Sequence, residues 1–270
     1  MATWPARTAG LEVEAEPQIV ETLLTLLEKV ADRQRRPIVE EESNYSRAVL
    51  ASKPKAYWRL SEIQGRTAYD AIGKQHGTYE DGVALYLPGV GYTSEPPVGF
   101  PNRAAHFAGG RVKAKVGAIG EEYTLEFCFW NGLPSDARHE TGYLCGWNNS
   151  QGKGFGYYLR INGNSNADDQ GKLFWSEAFS KWKTGQARLA DKTWYHIALV
   201  RRPDYLRIYL NGQPELDLMG RSKPIKDAEL YLGGAAGYGS NFEGKLDEAA
   251  LYDRVLSPDE VAAHYRALSE

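Results

Sequence analysis

The chain has 270 residues, of which 42% are hydrophobic, 25% charged and 28 are glycine, the balance of a turn-rich globular protein rather than a disordered one. Its net charge of −3 sets up no global positive field, which argues against nucleic acid as a partner. No apolar run approaches the ~20 residues that span a bilayer, and the N-terminus lacks the basic-then-apolar layout of a secretory signal, so membrane insertion is not expected.

The first predicted element is a helix over residues 17 to 35. Ile19, Leu23, Leu26, Leu27 and Val30 recur at the spacing of an amphipathic helix, Pro17 fits its first turn, and Pro37 stops it. A switch from Arg33, Arg35 and Arg36 to Glu40, Glu41 and Glu42 predicts a linker at about 36 to 44. This divides the chain into a helical segment with its linker, 1–44, and a larger domain, 45–270. The leucine face of a lone helix needs cover, so the helix is expected to dock or to self-associate. Its polar face is mixed in charge, which disfavours a membrane surface.

From Tyr45 onward the text breaks into short strand-like runs separated by Gly, Pro, Asn and Asp. Predicted strands cover 56–60, 104–108, 111–116, 123–130, 142–147, 155–161, 172–176, 194–201, 205–210, 229–233 and 242–252. Seven tryptophans and 17 tyrosines against two methionines suit pleated surfaces. The clearest unit is 194–212, where two alternating runs flank Arg202-Pro203-Asp204 and end at Asn211-Gly212, a hairpin followed by a second tight turn. Ser257-Pro258-Asp259-Glu260 is a capping box and opens a short C-terminal helix. The expected fold is all-β, a two-sheet antiparallel sandwich with an N-terminal and a C-terminal helix. Cys128 and Cys145 fall in two strands read as neighbours, either bridged or as two reduced small hydrophobes.

Chemistry is sparse in the sequence. Glu12, Glu14 and Glu16, and Glu215 with Asp217, have the i, i+2 spacing of a glycosidase carboxylate pair, but a solvated acidic arm explains the first group better and an exposed strand end the second. The five histidines show no metal-ligand spacing, and His196 reads as an inter-strand residue. For binding, the candidates are aromatics beside amide-rich turns: Trp147, Asn148, Tyr157, Trp175 and Trp182. A sugar ring stacks its C–H face on an aromatic while amides bond its hydroxyls.

The strings YSRAVLASKPKAYWRLSE (45–62), NRAAHFAGG (102–110), YTLEFCFW (123–130), WYHIALVRRPDYLRIYLNG (194–212), LYLGG (230–234) and FEGKLDEAALYDRVLSPDEVAAHYRAL (242–268) follow one another in a telling order. In that order they resemble the bacterial laminin-G-like jelly-roll domains of the concanavalin A-like superfamily. The most specific part is the Gly-x-x-Asp-Glu strand followed by a Leu-Ser-x-x-Glu helix. The resemblance implies a non-catalytic module that binds carbohydrate or protein, in an extracytoplasmic or cell-surface setting. Its alternatives are a glycan-cleaving enzyme of the same superfamily and a purely structural spacer. It also implies one structural Ca²⁺, held by Asp247 with backbone oxygens of the turn Phe107 to Gly109, although Ala108 stands where the family carries an aspartate.

Overall fold

Why the chain forms a sandwich is visible in its pairing. The computed structural model describes residues 43–91, 102–149, 156–177, 181–221, 224–237 and 239–269. The helix expected over 17–35 lies outside them. Among these residues sixteen strands are arranged in two eight-stranded sheets, and every pairing between those strands is antiparallel.

The first sheet contains β1 (Ala56–Trp58), β4 (Val83–Pro88), β5 (Arg103–Ala108), β7 (Tyr123–Asn131), β12 (Trp194–Arg201), β13 (Tyr205–Leu210), β14 (Gln213–Met219) and β16 (Glu243–Tyr252). Their order is β14-β13-β12-β7-β16-β5-β4, with β1 added on β16. The second contains β2 (Thr67–Ala68), β3 (Gly77–Tyr79), β6 (Val112–Ile119), β8 (Glu140–Asn149), β9 (Tyr157–Asn162), β10 (Lys172–Glu177), β11 (Lys181–Arg188) and β15 (Ile225–Leu232). Its order is β11-β10-β9-β8-β15-β6-β3-β2. The β12–β13 hairpin and the turn into β14 fall where the alternation predicts them. Asn211 (φ 50°) and Gly212 (φ 74°) both adopt the left-handed backbone that a tight hairpin turn requires.

One interior lies between the sheets. Trp58, Phe107, Phe127, Leu199, Ile208 and Leu230 are among the side chains that meet there, as period-2 alternation on facing sheets demands. At its edge a buried ion pair joins the layers: Arg201 of β12 lies 2.6 Å from Glu177 of β10 and donates to the Gly220 carbonyl at 2.7 Å.

The outer face of the first sheet is also apolar and is covered by two helices. Helix α1 (Asn44–Ala51) was not evident in the sequence, where this stretch reads as strand text. Ser43 caps it by accepting the Ser46 N–H at 3.0 Å, and Tyr45 and Val49, one turn apart, are buried. Helix α2 (Pro258–Arg266) has the expected capping box between Ser257 and Glu260, and buries Val261 and His264. Together they seal Cys128, Val200, Tyr209 and Tyr252 from water. Ser257→Ala removes one half of the box and is expected to cost about 1 kcal/mol. Urea unfolding would show it as a lower midpoint with an unchanged slope.

Cys128 and Cys145 are both free and buried. They cannot act as a neighbouring pair, because β7 and β8 belong to different sheets. Cys128 faces the helices, whereas Cys145 faces the interior.

Candidate functional site

With one face of the first sheet sealed by helices and the other forming the interior, the outer face of the second sheet remains. Register fixes what it carries. Trp175 opposes Leu159 and Lys183, all on the inward phase, so Phe174 and Ser176 of β10 point outward together with Tyr158 and Arg160 of β9 and Trp182 of β11. Tyr143 of β8 joins them. The result is a row of aromatic rings across four strands. Tyr143 meets Tyr158 edge-on at 5.1 Å between centroids, Tyr158 lies near-parallel to Phe174 at 6.5 Å, and Phe174 lies near-parallel to Trp182 at 6.0 Å. The Arg160 guanidinium sits 4.4 Å from the Phe174 centroid and is ion-paired with Glu140.

Exposure rises along this row. Tyr143 and Tyr158 are buried, Phe174 is half-buried, and Trp182 on the edge strand is 62% exposed. A tryptophan held against a neighbouring ring yet open to solvent is a ready stacking surface, because its orientation entropy is already lost.

The five sequence candidates separate accordingly. Trp182 lies on the outer face, in a strand where a loop had been expected. Asn148 also points outward but is buried, opposite Glu229. Trp147 (3% exposed) and Trp175 (fully buried) are interior residues, which corrects the expectation that they offer rings to a ligand. Tyr157 shares their inward phase and stacks between them, 6.2 Å from Trp147 and 6.3 Å from Trp175. Phe174, Arg160 and Tyr143 went unnoticed. Strand alternation from Trp175 would have turned Phe174 outward, had the inward residue been known.

A second polar cluster lies under the helices. Glu126 of β7 is fully buried; His264 Nδ1 of α2 approaches it at 3.0 Å, His196 Nε2 at 3.3 Å, and the Tyr252 hydroxyl donates to it. Ser52, just past α1, places its Oγ 2.9 Å from His264 Nε2. Burial pushes the Glu126 carboxyl up, but hydrogen bonds from His196 and His264, and their charges, outweigh it and hold the group at about 2. Burial pulls the His264 imidazole down, and the bond and charge of Glu126 more than reverse this, leaving it raised. This cluster fastens both helices to the sheet.

Residues 108–262, more than half of the chain, match the family described as the concanavalin A-like lectin/glucanases superfamily. The chain belongs to that superfamily. No curated protein matches it. Among solved structures, domain 4 of AbnA, a GH43 extracellular arabinanase from Geobacillus stearothermophilus in complex with arabinotriose, is 16% identical, with a TM-score of 0.53 over 78% of this chain and 98% of that one. Trypanosoma rangeli sialidase is 14% identical, with a TM-score of 0.57 over 92% of this chain and 38% of the sialidase. The binding domain of botulinum neurotoxin serotype D is 13% identical, with a TM-score of 0.57 over 81% and 52%. The chain thus spans about half or less of the sialidase and the toxin domain. At such identities the shared property is the fold. The superfamily includes both enzymes and non-catalytic modules.

The superfamily's Asp-Glu strand motif has a structural explanation here. Glu248 interrupts β16 at a bulge with a left-handed backbone (φ 54°), and its carboxylate receives Arg59 at 3.0 Å and the Tyr57 hydroxyl, fastening β1. Asp247 is buried and accepts the Val90 N–H at 2.8 Å and the Asn102 amide at 3.0 Å. The Ca²⁺ pair implied by resemblance, Asp247 and Gly109, does not fit this geometry. Ala108 opposes Glu243, so the turn at Gly109 is four or more strand positions from Asp247, roughly 13 Å along the strand. The Gly109 carbonyl instead accepts from the Asn241 amide at 2.6 Å. Burial and the adjacent Glu248 push the Asp247 carboxyl up. Among the described residues no group of three or more His, Cys, Asp or Glu side chains converges as a metal site.

Proposed function

We propose that the chain is a non-catalytic carbohydrate-binding module whose ligand stacks on Trp182 at the outer face of the second sheet. The observation that carries this reading is the exposed Trp182 ring backed by Phe174 at 6.0 Å, on the sheet face that no helix among the described residues covers. An aromatic body with polar groups beside it suits a sugar ring, which has an apolar C–H face and a hydroxyl rim. Glycoside cleavage would need two free carboxylates ~5 to 10 Å apart. On this face Glu140 is held by Arg160, Glu229 receives the Tyr231 hydroxyl, and Glu177 turns inward to Arg201. A glycan ligand fits an extracytoplasmic setting. No helix among the described residues is long and apolar enough to cross a membrane.

Screening the full chain and Trp182→Ala on an oligosaccharide array tests the reading. Binding by the native chain that falls at least about tenfold in the variant, with its melting temperature kept, is the expected outcome. Equal binding by both proteins would remove Trp182 from the site.

A further inference from the structure

We propose that Ser52 is a nucleophile that accepts acyl groups from activated carboxylic esters, at a site separate from Trp182. Its Oγ lies 2.9 Å from His264 Nε2, and His264 Nδ1 lies 3.1 and 3.0 Å from the two carboxylate oxygens of Glu126. Hydroxyl, imidazole and carboxylate thus form one relay, each ring nitrogen facing a different partner. This is the order in which a base activates a serine: Nε2 takes the hydroxyl proton, while the carboxylate fixes the ring and steadies the imidazolium. Three distant parts of the chain build it, since Ser52 follows α1, His264 stands on α2 and Glu126 on β7. Access is graded along the relay. Glu126 is fully buried and His264 is 2% exposed, whereas Ser52 is half-buried at the rim of the helical layer. Directly after it Lys53 takes a left-handed backbone (φ 55°), uncommon for a residue other than glycine, so the chain leaves the helix through a tight bend at the serine.

The backbone around the serine decides which acyl donors suit it. The Ser52 N–H is spent on the Ala48 and Val49 carbonyls and the Lys53 N–H on the Leu50 carbonyl, so neither is free to hold an oxyanion. Arg254 brings a cation close by, donating to the Ser52 carbonyl at 2.8 and 3.3 Å. Esters whose leaving group departs unaided therefore suit the site. In the step the Ser52 Oγ–C bond forms, the ester C–O bond breaks, and the leaving oxygen takes that electron pair. The hydroxyl proton moves to His264 Nε2 and from there to the leaving group or to water. Without oxyanion donors the acyl-serine persists, so the chain is modified once and does not turn over. The base has to be neutral for this. Burial lowers the His264 imidazole, as Arg254 does more weakly, but Glu126 and Glu260 raise it further, so it sheds its proton above the usual histidine range. Tyr45 of α1 packs edge-on to the ring at 6.4 Å, and His196 and Tyr252 reach the same carboxylate. Acylation is therefore slow in mild acid and quickens as pH rises through the folded value of His264.

The test treats the full chain with p-nitrophenyl acetate and follows p-nitrophenolate release, the intact mass and the position of the acetyl group by peptide mapping. The expected result is a burst of one equivalent per chain, with the acetyl group on Ser52 and a rate at least about 100-fold above that of the exposed Ser269. The Ser52 rate should rise with pH and level off once His264 is neutral. Ser52→Ala should lose the burst with its melting temperature kept, and Trp182→Ala should retain it. Absence of a burst, or acetyl groups scattered over lysines with Ser52 no faster than Ser269, would overturn the proposal. A Ser52 rate that climbs without a plateau would overturn it too, because hydroxide rather than imidazole would then be the base. Neither result touches the glycan reading, since Trp182 belongs to β11 of the other sheet.

Discussion

Glu126→Ala should lower the melting temperature by roughly 6 to 20 °C, equivalent to about 3 to 5 kcal/mol for a broken buried ion pair in a domain of this size. The carboxylate is the shared partner of His196, His264 and the Tyr252 hydroxyl, and none of these has water to fall back on in its sealed layer. Removing it leaves several donors unsatisfied together and loosens α2, whose His264 is the bolt. The same cluster sets a pH window. Glu126 is held down at about 2 against 4.5 for the free side chain, so its contribution is present above about 4.5 and is lost as pH falls towards 2. His264 is raised above 6.5, so its contribution is complete below 6.5 and is lost as pH rises through its folded value. Thermal melts across pH should therefore show greatest help from the cluster between about 4.5 and 6.5, and Glu126→Ala should flatten both limbs. Native and variant curves that run parallel from acid to neutral pH would contradict this assignment.

Trp175→Ala should destabilise by about 3 to 5 kcal/mol, whereas Trp182→Ala should stay within ~0.5 kcal/mol of the native chain. The two tryptophans are seven residues apart on adjacent strands and differ in parity. Trp175 is fully buried against Trp147 and Tyr157, and its indole N–H donates to Glu177 at 3.2 Å, so its loss opens a cavity and strips a bond from the inter-sheet ion pair. Trp182 has mostly solvent and one neighbouring ring to lose. Urea midpoints for the two variants would expose any error in register, because a one-residue slip of β10 exchanges its inward and outward side chains. Similar midpoints for both variants would mean that the faces are misassigned.

That parity also explains what the sequence could and could not disclose. The capping box at Ser257 and the turns of 194–212 are local, and both stand in the structure as expected. The jelly-roll layers were legible from the order of strings. The two-residue strand β2 and the three-residue β3 carry too few side chains to show alternation. Helix α1 was obscured because its eight residues hold only about two turns of pattern. For the site, letters gave composition and not direction: Trp147, Trp175 and Trp182 look alike until pairing with Tyr157, Leu159 and Ser176 assigns each a face. The Glu126 cluster was beyond reach for another reason. Its partners lie 70 and 138 residues away, and a lone glutamate in an apolar strand announces neither.

The account depends on the outer face of the second sheet being where a ligand sits. Chemical-shift mapping of the isotope-labelled chain, titrated with the tightest-binding oligosaccharide, addresses this directly. Perturbations should gather at the amides of Arg160, Phe174 and Thr184 and at the indole N–H of Trp182. Shifts confined to the helix-covered side, around Tyr252 and His264, would contradict it.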